Sequence, residues 1–191
     1  MHIPVLPDSA PARGNFVSEG LGRLVLRLAG REFQGEWPDV SRCVVIVAPH
    51  TTNWDFIIGL SAALAIRANI RWLGKDSLFR TPLAGFFRWQ GGIPAVRDHA
   101  QGLVGSAVEK FQTTEKLWLA LAPEGTRSRV SHWRSGFYHI AQGAKVPIVP
   151  VALDWQNKKI IIFDLFSVTG QIDNDIAELQ DLYRPVKGFS I

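Results

Sequence analysis

Apolar residues recur along this chain at two spacings, one that suits helices and one that suits strands, and the alternation between them sets the fold class. Leu21, Leu24, Val25 and Leu28 follow one another at i, i+3, i+4 and i+7, with Arg23, Arg27 and Arg31 on other faces. This predicts a short N-terminal basic amphipathic helix over residues 18–31. Such a stripe can cover the domain core or lie on a membrane surface, and the pattern does not choose between them. The β-branched run Cys43, Val44, Val45, Ile46 and Val47 predicts a strand over 43–48. A break follows at 49–53, and then Phe56, Ile57, Leu60, Ala63 and Leu64 resume at helical spacing.

The same order repeats downstream. A strand is predicted over 70–73 before a turn at Gly74, an apolar helix over 82–89 before Gly91 and Gly92, and a strand over 93–96. A helix over 101–111 leads to a strand over 116–122 that stops at Pro123. A helix over 135–143, strands over 146–153 and 159–166 and a closing helix over 172–182 complete the chain. Strands alternating with helices define an α/β fold, a mostly parallel or mixed sheet covered on both faces. In such folds ligands gather beyond strand ends, which singles out two loops, 49–55 and 123–128.

Length and composition add bounds. With 191 residues, 47% of them hydrophobic, the chain can bury one substantial core, assigned to a single domain over 15–191. Residues 1–14 carry Pro4, Pro7 and Pro11 and no apolar stretch of signal-peptide length, so they are expected to form a disordered lead and not an export signal. The longest nearly uncharged apolar run, 56–66, falls short of the roughly 20 residues that a spanning helix needs. The lone Cys43 excludes an intrachain disulfide and reads as a buried thiol in a reducing compartment. A net charge of +4 and a pI near 9.5 favour anionic partners: nucleic acid, phospholipid head groups or phosphorylated metabolites. Seven Trp fit core packing, a lipid interface or base stacking equally well.

His50 and Asp55 stand five apart, which on a continuous helix would separate them by about 140°. The chain between them must therefore turn. If Thr52 or Asn53 caps the helix, Asp55 in its first turn can bend back toward an imidazole at the strand end. A carboxylate on Nδ1 leaves Nε2 as an acceptor, which suits a general base acting on an alcohol, although such a pair in isolation is more often structural. The loop Pro123, Glu124, Gly125, Thr126, Arg127, Ser128 and Arg129 combines a turn glycine, two guanidinium groups and two hydroxyls, a set able to grip a phosphate, or equally a solvated turn. Lys75 and Arg97 are cations at further strand ends. No metal-ligand spacing emerges from the other histidines, and Gly59, Leu60, Ser61, Ala62 and Ala63 lack the last glycine of a serine-hydrolase elbow.

The segment from His50 to Asp55 resembles the His-x4-Asp signature of the glycerolipid acyltransferases, which include the 1-acylglycerol-3-phosphate acyltransferases. Gly92 to Arg97, Pro123 to Ser128 and Val146 to Val151 are similar to the family's second, third and fourth blocks, in the same order. The resemblance covers about residues 43–153. It implies a mixed central sheet flanked by helices, His50 as general base and Asp55 as its orienting partner. It also implies an acyl thioester as donor, acyl-CoA or acyl-carrier protein, with no bound cofactor and no metal. The acceptor's phosphate would be bound by Arg97 and the turn from Glu124 through Gly125 and Thr126 to Arg127, with Ser128 beside it. Lys75, from its strand-end position alone, is a further cation that could converge on the same head group.

These readings lead to the expectation of an acyltransferase of phospholipid biosynthesis, cytoplasmic and peripheral on the inner face of an anionic membrane, with a lysophospholipid or glycerol phosphate as acceptor. Lysophosphatidic acid is the first acceptor to consider, and glycerol 3-phosphate or an amino-lipid hydroxyl the alternatives. A rival of another class is a basic nucleic-acid or lipid-surface binding module, which would leave both polar loops unexplained. Nucleic acid is not expected as a partner.

Overall fold

A computed structural model describes residues 2–50, 52–95, 100–125 and 132–186. Seven strands form a mixed sheet: β1 (Glu32–Gln34), β2 (Arg42–Ala48), β3 (Ile70–Lys75), β4 (Gly92–Ala95), β5 (Leu117–Leu121), β6 (Ile148–Asp154) and β7 (Lys159–Ile162). Their order is β1-β7-β6-β2-β5-β3-β4. The neighbours β6, β2, β5, β3 and β4 are all parallel, while β7 runs antiparallel to β6 and carries β1 parallel to itself. Helices α1 (Phe16–Leu28) and α2 (Asn53–Ala65) cover one face, and α4 (Ala100–Gln112), α5 (Gly136–Ala144) and α6 (Ile172–Tyr183) the other. The short α3 (Ala84–Trp89) follows a 3-10 helix at Asp76–Arg80.

The two faces follow from the period of two in β2. Val44, Ile46 and Ala48 enter the core shared with α4, α5 and α6, while Cys43 and Val45 face the core shared with α1 and α2. Both faces of the central strands are buried, which is why their sequences run apolar without alternation. Cys43 is fully buried, and burial pushes its thiol far above the ordinary range.

Several elements differ from the sequence expectation, each for a local reason. Helix α1 starts earlier, because Asn15 accepts the N–H groups of Val17 and Ser18, and Ser18 Oγ accepts that of Asn15. It stops at Leu28, where Gly30 takes φ +64° and the Arg31 N–H turns back to Leu26 O. Strand β1 has one buried residue, Phe33, and so carries no readable alternation. Strand β3 runs through Gly74, which packs closely on Trp72 and Phe79 and is no turn. Strand β7 ends at Ile162: the Phe163 N–H still donates to Pro150 O at 3.0 Å, but Pro150 has no N–H to give in return, and a two-way bridge forms again where Phe166 meets Ile148. Residues 2–14, expected as a disordered lead, make defined contacts: Ala10 is buried, Ala12 bridges to Ala68 just beyond α2, the Arg13 N–H reaches Arg67 O, and the Ser9 N–H donates to Asp39.

The amphipathic helix packs inward through other residues than its apolar stripe. Gly22 and Leu26 face inward, and α1 lies so close on α2 that a Cβ on Gly22 would stand 2.6 Å from both Ala65 N and Ser61 O. Of the predicted stripe, Leu21, Leu24 and Leu28 are exposed, Leu28 to 79%, and Val17 extends this outer face, while Val25 is half-buried. No helix among the described residues is long and apolar enough to cross a membrane.

Candidate active site

Five parallel strands present their C-terminal ends on one edge of the sheet, so the segments that follow them meet there. The register Ala48↔Ala152 sets the residues after β2 beside those after β6, and Ile46↔Leu121 brings the end of β5 to the other flank. His50 therefore stands between Trp155, just beyond β6, and Glu124, just beyond β5. Lys75 closes β3 on the same edge, exposed to solvent.

The turn demanded by the five-residue spacing is built by a capping box. Thr52 is the N-cap of α2. Its Oγ1 accepts the Trp54 N–H at 3.1 Å, and Asp55 Oδ2 accepts the Thr52 N–H at 2.6 Å. The same Oδ2 lies 3.2 Å from His50 Nδ1. The Asp55 side chain is 2% exposed and that of His50 is 27% exposed, so the carboxylate is enclosed while the imidazole reaches solvent. This geometry holds the ring by Nδ1 and leaves Nε2 able to take a proton.

Glu124, expected at the acceptor's phosphate, is engaged within the protein. It is buried, and its Oε2 accepts the His50 backbone N–H at 2.8 Å, joining the two loops. Burial raises its pKa against the lowering effects of that hydrogen bond and of His50, with Asp55 adding to the rise. The contact makes Glu124 a brace for the His50 backbone. Gly125 takes φ +65°, and a Cβ there would lie 2.5 Å from Arg134 Cδ. The Arg134 N–H donates to Pro123 O at 2.8 Å, which lays this side chain across the turn. Arg97, Thr126, Arg127 and Ser128 lie outside the described residues. Among the described residues no cluster of three His, Cys, Asp or Glu side chains stands ready for a metal ion.

Three residues of this edge escaped the sequence reading: Arg134, Trp155 and Arg31. The Trp155 Nε1–H donates to Asp55 Oδ1 at 2.6 Å, and the Arg31 guanidinium stacks 3.9 Å from the Trp155 ring centroid. Only the β2–β6 register, which spans a hundred residues of sequence, could have placed Trp155 at this site.

A family model described as Acyltransferase matches residues 31–154, a span that holds the His50–Asp55 pair, the second block and the Glu124 turn. The chain belongs to the acyltransferase family. Within that family it is 29% identical to the 1-acyl-sn-glycerol-3-phosphate acyltransferase of Escherichia coli (strain K12) over 123 residues, 61% of this chain and 49% of that protein. The namesake from Haemophilus influenzae is 26% identical across 88% of this chain and 78% of its own length. The chain thus spans about half the length of the Escherichia coli relative it matches. The crystal structure of the 1-acyl-sn-glycerophosphate (LPA) acyltransferase from Thermotoga maritima shares the fold, with a TM-score of 0.60 over 92% of this chain and 80% of that one, at 17% identity.

Proposed function

We propose that this acyltransferase-family chain transfers a fatty acyl group from a thioester, acyl-CoA or acyl-carrier protein, to the free hydroxyl of lysophosphatidic acid. The observation that carries the reading is the enclosed Asp55 carboxylate on His50 Nδ1, at the edge of the sheet where the Glu124–Gly125 turn also arrives. In this mechanism Nε2 removes the acceptor's hydroxyl proton as the oxygen attacks the thioester carbonyl carbon. The C–S bond then breaks, and the leaving thiolate takes the proton back from Nε2, so products are the acylated acceptor and a free thiol. Asp55 orients the ring and stabilises the imidazolium between the two transfers. Lys75, Arg97, Arg127 and the hydroxyls and backbone of Thr126 and Ser128 are assigned to the acceptor's phosphate, and Arg134 joins them from across Gly125. The names of the relatives favour lysophosphatidic acid over glycerol 3-phosphate.

The test is thiol release by the purified protein from acyl-CoA and from acyl-carrier protein, each offered lysophosphatidic acid, glycerol 3-phosphate and an uncharged lysolipid. Release with lysophosphatidic acid well above the other two is expected. Equal rates with the uncharged lysolipid would defeat the phosphate site, and salt-sensitive nucleic-acid binding without turnover would favour the binding module instead.

The exposed stripe on α1 supports attachment to an anionic bilayer, with Val17, Leu21, Leu24 and Leu28 inserted and Arg23 and Arg27 at the head groups. Replacing Leu21 and Leu24 by Glu removes two insertions worth about 1.5–3 kcal/mol each. The wild-type chain is expected to float with phosphatidylglycerol vesicles and the double variant to stay behind, at unchanged Tm because both side chains are more than half exposed. Equal flotation of the two proteins would rule out insertion through α1.

A further inference from the structure

Asp55 is held from two sides, and only one of them is the imidazole. Oδ2 takes the Thr52 N–H and faces His50, while Oδ1 takes the indole N–H of Trp155. The terminal torsion of an Asp side chain is soft and broadly two-fold, so contacts on a single oxygen leave the carboxylate free to tilt away from Nδ1. A donor on the second oxygen removes that freedom. Trp155 is 36% exposed, yet its one polar atom points inward at 2.6 Å from the carboxylate. Burial therefore does not account for its orientation, but the bond to Asp55 does.

Behind the indole stands Arg31, only 3% exposed. Its guanidinium lies 3.9 Å from the Trp155 ring centroid and donates to Asp154 O at 2.8 Å, so it is fixed to the residue that precedes the indole. Burial lowers its pKa, and the charges of Asp154 and Asp55 oppose the fall. Arg31 comes directly before β1 and Trp155 directly after β6. The pairings Glu32↔Lys159 and Lys159↔Asp154 bring these two ends together at the edge where His50 sits.

We propose that Trp155, clamped by Arg31, is a positioning residue that acts through Asp55, aiming Oδ2 at His50 Nδ1. This assignment rests on the reading of His50 as the base. Trp155→Phe keeps a ring beneath Arg31 and removes only the N–H. A loss of aim by a fraction of an ångström predicts a kcat lower by about tenfold, with KM for thioester and lysolipid held within about twofold and Tm within a few degrees. Because the effect runs through Asp55, Trp155→Phe is expected to cost nothing further in an Asp55→Asn background. The same tenfold loss in both backgrounds would mean a structural role and overturn the proposal.

The contact itself is read without turnover. In 15N-labelled protein the Trp155 indole N–H signal, identified by its loss in Trp155→Phe, is expected to exchange slowly with solvent and to shift in Asp55→Asn. An indole signal that is fast-exchanging and identical in both proteins overturns the proposal. Absence of thiol release from the wild-type chain would defeat the acyl-transfer reading, while the indole spectrum would still decide whether Trp155 holds Asp55.

Discussion

Replacement of His50 by alanine is expected to lower kcat for acyl transfer by about 10²- to 10⁴-fold, the range that a positioned general base supplies. The loss should fall on kcat and not on folding. The side chain is partly exposed, and the backbone N–H that Glu124 Oε2 accepts is still present in the variant. Tm and vesicle flotation are therefore expected to match the wild type, which separates loss of the base from loss of structure. Turnover of His50→Ala at the wild-type rate would remove the base from the mechanism.

Asp55→Asn should lose both rate and stability. The carboxylate receives N–H donors on both oxygens, Thr52 on one and Trp155 on the other, with His50 Nδ1 at 3.2 Å. An amide has one acceptor oxygen, so in either orientation its NH₂ group meets one of those donors. A buried donor left facing a donor costs about 1–3 kcal/mol, which thermal denaturation would register as a lower Tm. The rate should fall by about a thousandfold, because a neutral amide neither stabilises the imidazolium nor enforces the tautomer that leaves Nε2 free. A variant with normal Tm and normal kcat would show that the carboxylate has neither role.

How much of this was legible beforehand depends on whether a feature is local. The α2 capping box could be foreseen from Thr52 and Asp55 because every atom in it lies within four residues, and the sheet class followed from the apolar runs 43–48, 116–122 and 146–153. Strand β1 could not be foreseen, since three residues with one buried side chain carry no period. Gly74 was misread because a glycine signals turns and tight packing alike, and only the neighbouring rings of Trp72 and Phe79 tell which applies. The outward face of α1 was hidden for a related reason: its inward contact rests on Gly22, a residue that hydrophobic periodicity does not count. Trp155 and Arg31 became part of the site only through strand order. Glu124 sat in the expected loop, yet its direction depended on a backbone N–H 74 residues away.

The close seating of α1 on α2 ties the outer stripe to the loop that carries His50. Arg13 and Gly14, just ahead of α1, bond Arg67 just beyond α2, and Arg31, beyond the other end of α1, reaches the Trp155 that holds Asp55. The two helices are thus antiparallel, and Leu28 marks the end of the stripe nearest the imidazole. A chain bound through that stripe would meet lysolipid by lateral diffusion in two dimensions. Its velocity would then follow the mole fraction of acceptor in the surface, falling as inert lipid is added at constant total acceptor.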